Sequence, residues 1–135
     1  METKNILYIA IVLDEESQNY LINCVPKQIE AIKNIYCHHM TLAFKTNLTD
    51  EILKFTEENL SREFILYPKA LGVSNKAIAM EVDCDCPSNN AIKHITMCTF
   101  EGGKPVDSNY ITSWGKLPED FNRTLKGTLQ IIYNN

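Results

Sequence analysis

Two of the three histidines in this 135-residue chain stand in the same short pattern, His39-Met40-Thr41-Leu42 and His94-Ile95-Thr96-Met97. Two imidazoles and two hydroxyls suit the cleavage of a phosphodiester by in-line attack. One group must take a proton from the nucleophile, another must protonate the leaving oxygen, and donors must hold the non-bridging oxygens. Histidines with an ordinary pKa of about 6.5 divide the proton work near neutral pH, one neutral as base and one charged as acid. Threonine hydroxyls donate to phosphoryl oxygens, and an imidazolium adds positive charge where negative charge builds up. This chemistry needs no metal and no other cofactor.

Each motif sits in a run that alternates as a half-buried strand does: Met40, Leu42 and Phe44 in the first, Ile95, Met97 and Thr99 in the second. The His and Thr of each motif then share the other face, about 6–7 Å apart. Two such strands facing one cleft bring all four groups to one patch. The same alternation sets His38 on the side of Met40 and Leu42, opposite His39, so His38 is expected to pack at the strand end.

The remaining pattern supplies the scaffold. Residues 6–13 form an apolar, β-branched run expected to be a central strand. Asp14 is placed to cap a helix through about Cys24, with Tyr20, Leu21 and Cys24 inward, and Pro26 ends it. Residues 35–44 carry the first motif as one strand. Thr49 caps a second helix, residues 50–60. Residues 64–73 and 77–82 are strands joined at Ser74-Asn75-Lys76. A loop rich in turn formers, residues 83–93, delivers the chain to the second motif, and residues 127–133 close the chain as a strand.

Beyond the second motif runs Gly102-Gly103-Lys104-Pro105-Val106-Asp107-Ser108-Asn109-Tyr110, either a cleft mouth or a surface turn leading into a short helix. Lys104, Ser108, Asn109 and Tyr110, with Lys93 just before His94, are the candidate substrate-binding residues. Tyr110, Phe100 or Tyr36 is placed to stack on a base, and Trp114 is assigned to packing.

Two His-x-Thr motifs, 55 positions apart and each in an alternating strand, resemble the signature of the 2H phosphoesterases, the LigT-like superfamily. The resemblance spans most of the chain. It implies a single α+β domain, residues 1–135, with a two-lobed fold in which antiparallel sheets and flanking helices surround a central cleft. It further implies that His39 and His94 are the catalytic pair and that Thr41 and Thr96 are the phosphate-binding hydroxyls. With about ten residues between the preceding strand and the second motif, the chain is most similar to compact viral and phage members. Some of those degrade cyclic nucleotide signals of host immunity.

Composition narrows the partners. A formal net charge of −4 and a pI near 5.3 argue against a binder of long nucleic acid, which concentrates Lys and Arg. A small nucleotide or an RNA end suits the chain better, acted on by a monomer. Five cysteines in no secreted framework, and no apolar run long enough for a membrane span, lead to an expectation of reduced thiols, no membrane and a cytoplasmic location. The substrate expected first is a cyclic or 2′-5′-linked signalling nucleotide such as 2′3′-cGAMP. A 2′,3′-cyclic phosphate at an RNA end is the alternative, and a non-catalytic nucleotide-binding module is the alternative of another class.

Overall fold

The first apolar run becomes strand β1 (Ile6–Leu13), in which Ile9 and Ile11 are wholly buried. It belongs to a computed structural model that describes residues 2–26, 29, 31–119 and 121–134. Asp14 caps helix α1 (Glu15–Cys24), its carboxylate accepting the Ser17 N–H at 2.8 Å. Glu15 and Glu16 place negative charge beside the N–H groups that the first turn leaves unpaired. Leu21 is the helix's main apolar anchor. Cys24, expected inward, is exposed, because the helix ends there and the next residue, Val25, takes the buried position.

The single strand expected over residues 35–44 is in fact two, β2 (Ile32–Ile35) and β3 (His39–Phe44). Part of the connection leading into β2 lies outside the described residues. The break between the strands is at Cys37, whose φ of +52° lies in the left-handed region that a residue with a side chain enters at a cost. The turn is held from behind: the Tyr36 and Cys37 N–H groups donate to the Met97 and Thr96 carbonyls at 2.8 and 3.0 Å. The Cys37 side chain is fully buried, its thiol 3.5 Å from the Met97 carbonyl.

Thr49 caps helix α2 (Asp50–Asn59), whose Ile52 and Thr56 are buried. Strands β4 (Glu63–Val73) and β5 (Ala77–Asp83) form the expected hairpin, with the Ser74 hydroxyl accepting the Lys76 and Ala77 N–H groups in the turn. Then follow β6 (His94–Phe100), a 3-10 helix (Pro105–Tyr110), β7 (Trp114–Lys116) and β8 (Leu125–Tyr133). The last strand starts two residues earlier than the sequence pattern indicates, with Leu125 wholly buried.

Among the described residues, all pairings are antiparallel and all eight strands belong to one sheet. Going round, β1, β8, β4, β5, β6 and β3 pair in turn, and β3 returns to β1, so six strands close into a barrel. Strand β2 adds to β6 and β7 to β4. Closure depends on close approach at Gly127, where a Cβ would run into the Val12 carbonyl. Met40 and Leu42 of β3 and Ile95 and Met97 of β6 join Ile9, Ile11, Leu66, Met80 and Leu129 in one core. A one-residue slip in either motif strand would expose these side chains and bury the polar ones, so burial fixes the register. Among the described residues, no helix is long and apolar enough to cross a membrane.

Candidate active site

The two motif strands meet at one pair, Met40 opposite Ile95. Beside that pair, Thr96 is bonded through its carbonyl to the Cys37 N–H, and the Thr41 carbonyl to the Ser88 hydroxyl. Because Met40 and Ile95 point into the core, their four polar neighbours share the opposite face. All four line a single cavity of about 590 Å³, a volume within the range of small-molecule sites.

Away from that one pair, β3 and β6 diverge, and the 83–93 loop fills the gap. Its Ser88 hydroxyl donates to the Thr41 carbonyl at 3.0 Å, and the Asn89 N–H donates to the Leu42 carbonyl at 2.8 Å. The segment that leads to the second motif thereby buttresses the first. Asn90, next in the loop, lines the cavity.

Electrostatically the two histidines differ. Burial, then the nearby His38 and His94, lower the His39 pKa to about 4. The His94 pKa is also lowered by burial, against which a hydrogen bond to the Ile92 carbonyl works in the opposite direction. That bond, 2.7 Å from Nδ1, fixes the tautomer: a carbonyl only accepts, so Nδ1 carries a proton and Nε2 is the nitrogen that exchanges one. Ordinary near-neutral values, expected from residue type, therefore give way to a cavity in which burial disfavours the charged forms of His39 and His94. A phosphodiester supplies the opposite charge that restores an imidazolium.

His38 departs from expectation. It lines the same cavity, and its Nδ1 lies 3.0 Å from the Nδ1 of His39, one proton being shared between them. The alternation argument failed because His38 precedes β3 and follows the left-handed turn at Cys37, so strand geometry does not reach it. On its other side His39 is stacked on Tyr8, ring centres 4.8 Å apart and planes 19° from parallel.

The candidate substrate-binding residues divide. Asn109 lines the cavity. Ser108 is buried and stands behind Thr96, the two hydroxyls 2.9 Å apart. Lys93 turns away, its ammonium donating to the Cys84 carbonyl at 2.8 Å. Lys104 and Tyr110 are exposed and outside the lining, Lys104 heading the 3-10 helix, where its N–H donates to Asp107 at 2.8 Å. Of the residues considered for stacking, Tyr36 lines the cavity, Phe100 packs against the core, and Trp114 packs on Ala77, Ala79 and Ile111 as assigned.

Several lining residues carried no signal in the sequence. Tyr8 reads as one more apolar residue of a central strand, and Phe44, at the end of β3, looked like core yet is 41 % exposed. Thr46 and Asn47 follow in a turn in which the Asn47 carboxamide accepts the Phe44 N–H at 2.7 Å. Only the general tendency of sites to sit at loops beside strand ends would have pointed to that turn. The chain matches no model of a known protein family and no curated protein. Among the described residues, no group of three or more His, Cys, Asp or Glu side chains is placed to hold a metal ion.

Proposed function

We propose that this protein is a phosphodiesterase acting on nucleotides by acid–base catalysis with His39 and His94, as the resemblance to the 2H phosphoesterases implies. The observation that carries the reading is the convergence of both His-x-Thr pairs, on strands that meet at Met40 and Ile95, on one cavity. A module that only bound nucleotides would have no need of two opposed proton-transfer groups. The two-lobed organisation belongs to the same reading, each half contributing one motif strand to the seam at Met40 and Ile95.

Roles follow from the proton positions. With the shared proton on its own Nδ1, His39 donates to His38 and presents Nε2 as the base, and its strongly lowered pKa keeps it neutral. His94 is the acid, since the Ile92 carbonyl stabilises the doubly protonated ring. For a 2′-5′ linkage, the neighbouring 3′-oxygen attacks phosphorus and passes its proton to His39. The P–O5′ bond breaks, and the departing oxygen takes a proton from His94. The products are a 2′,3′-cyclic phosphate and a 5′-hydroxyl. Thr41 and Thr96 donate to the non-bridging oxygens, and proximity of the internal nucleophile lowers the barrier further.

The substrate named first is 2′3′-cGAMP or a related 2′-5′-linked signalling nucleotide, and in a viral setting its removal would blunt host immunity. A 2′,3′-cyclic phosphate at an RNA end would use the same groups, with water as nucleophile. The test is a competition at equal concentrations among 2′3′-cGAMP, a wholly 3′-5′-linked cyclic dinucleotide and an RNA end bearing a 2′,3′-cyclic phosphate, with products identified by mass. Preferential loss of the 2′-5′ linkage is expected, unaltered by chelator. Preferential loss of the RNA end would move the protein to RNA processing, and no cleavage of any of the three would reject the enzyme.

A further inference from the structure

The walls of the cavity carry no Lys, Arg, Asp or Glu among the described residues, so histidine is the only source of full charge there. The two lysines expected to meet phosphate are both elsewhere, Lys93 bonded to the Cys84 carbonyl and Lys104 outside the lining. Lys45, outside the lining, holds its ammonium 5.9 Å from the centre of the Phe44 ring. In place of cations the wall offers three aromatic rings, Tyr8, Tyr36 and Phe44, and three carboxamides, Asn47, Asn90 and Asn109. Phe44 is 41 % exposed, so an apolar ring face of the lining is open to solvent. The oxygen of Asn47 is already used by the Phe44 N–H, which leaves its amide nitrogen to donate.

A wall of this kind holds nucleobases. Rings stack on any base, and amides pair with base edges. It is a poor place for a phosphate monoester, which carries close to two negative charges at neutral pH and is ordinarily met by Arg or Lys. A phosphodiester carries one charge, which a single imidazolium balances.

We propose that the cavity selects nucleotides in which the phosphate under attack is a diester flanked by nucleosides, with affinity supplied by stacking and amide contacts, and that it discriminates against ligands bearing phosphate monoester or polyphosphate groups. The inference deepens the phosphodiesterase reading and uses the same site. It favours a cyclic or internal dinucleotide over a 5′-triphosphorylated oligonucleotide.

The experiment measures binding by calorimetry, using a 2′-5′-linked diadenosine monophosphate that lacks the 3′-hydroxyl beside phosphorus and so cannot be cleaved by internal attack. It is compared with its 5′-monophosphate and 5′-triphosphate forms, and with a form in which one adenine is replaced by hydrogen. The 5′-hydroxyl form is expected to bind at least as tightly as either phosphorylated form. A tenfold rise in salt should weaken it by no more than about fivefold, the effect of roughly one phosphate contact. Loss of one base should weaken it by about fivefold or more, within the range of one base stack. Tighter binding of the triphosphate, a steeper salt dependence, or a smaller effect of the missing base would each overturn the inference. Cleavage of the 3′-hydroxyl parent is scored separately. Binding as expected without cleavage would sink the enzyme and leave this selectivity standing, whereas cleavage with a preference for the triphosphate would do the reverse.

Discussion

The Thr96 hydroxyl lies 2.9 Å from that of Ser108, a side chain only 1 % exposed and out of reach of a ligand in the cavity. If Ser108 donates to Thr96, the Thr96 proton is left for a phosphoryl oxygen or for the Pro105 carbonyl at 3.4 Å. Ser108 thus acts through Thr96. Ser108→Ala should lower kcat about five- to tenfold with little change in KM, the effect of one net hydrogen bond of roughly 1 kcal/mol. Thr96→Val removes the donor itself and should cost about 2.7–4 kcal/mol, by analogy with loss of an oxyanion-hole donor. In the Thr96→Val background, Ser108→Ala should do nothing more. A full additional loss there would mean Ser108 touches substrate independently.

The histidines are expected to behave as a unit. His39→Ala or His94→Ala should each abolish most turnover, and the double variant should be hardly worse than either, because neither proton transfer is of use without the other. Both side chains sit on the polar face of their strands, so circular dichroism should remain that of the native fold. Wild-type turnover in either single variant would remove that residue from the mechanism.

His38 should matter through His39. In the proposed tautomer its Nδ1, 3.0 Å from that of His39, accepts the His39 Nδ1–H and so leaves His39 Nε2 free as base. His38→Phe keeps the ring and removes the acceptor, so the expected result is a fall in kcat greater than any rise in KM. His38→Asn, which can still accept, should recover part of the loss. Equal turnover in all three proteins would show that the shared proton does not set the tautomer.

Much of this arrangement was legible because it rests on period-two patterning. Both helix caps, Asp14 and Thr49, the hairpin at Ser74 and the polar face of each motif strand follow from local chemistry, and the structure has them where that chemistry places them. What local pattern does not encode is where separate strands meet. Barrel closure through the single Met40–Ile95 pair is a long-range event, and so is the docking of Ser88 on Thr41. Proximity in sequence to the second motif suggests Lys93 and Lys104 for the site, but the Lys93 ammonium is bonded to a carbonyl and Lys104 stands exposed at a helix start outside the lining, both set by the fold. Tyr8 lies some thirty residues from the first motif and joins it because β1 pairs with β3, bringing Tyr8 opposite Phe44.

The rate profile should be displaced to acid pH. In the free protein the base requires neutral His39, whose pKa is lowered to about 4, and the acid requires charged His94, whose pKa is lowered from 6.5. Since charged His94 becomes scarce, as pH rises, before the ordinary histidine value of about 6.5 is reached, kcat/KM should form a bell with its maximum below that pH. The profile of kcat, which reports the complex, should lie at higher pH, because the bound diester stabilises the imidazolium. A kcat/KM maximum above pH 7.5 would contradict the assignment of His94 as the acid.

The same depressed pKa makes His39 a source of acid lability. In the unfolded chain a histidine takes up its proton near pH 6.5, whereas His39 in the native cavity refuses one until about pH 4. Between those values the unfolded state holds more protons than the native state, so stability rises with pH across the interval. The stabilisation is complete above about pH 6.5 and is lost as pH falls through the native pKa. A shift of this size sets an upper limit of roughly 3 kcal/mol, which water reaching the half-buried ring reduces. His94, also lowered, adds in the same direction. Carboxylates titrate in the same range, so the informative quantity is a difference between proteins. In urea denaturation at pH 7 and pH 4.5, His39→Asn should lose less stability on acidification than the wild type, by about 1–3 kcal/mol. Equal losses in the two proteins would mean that His39 takes up its proton in the folded state as easily as in the unfolded one, and the burial assigned to it as the cause of its neutrality would be wrong.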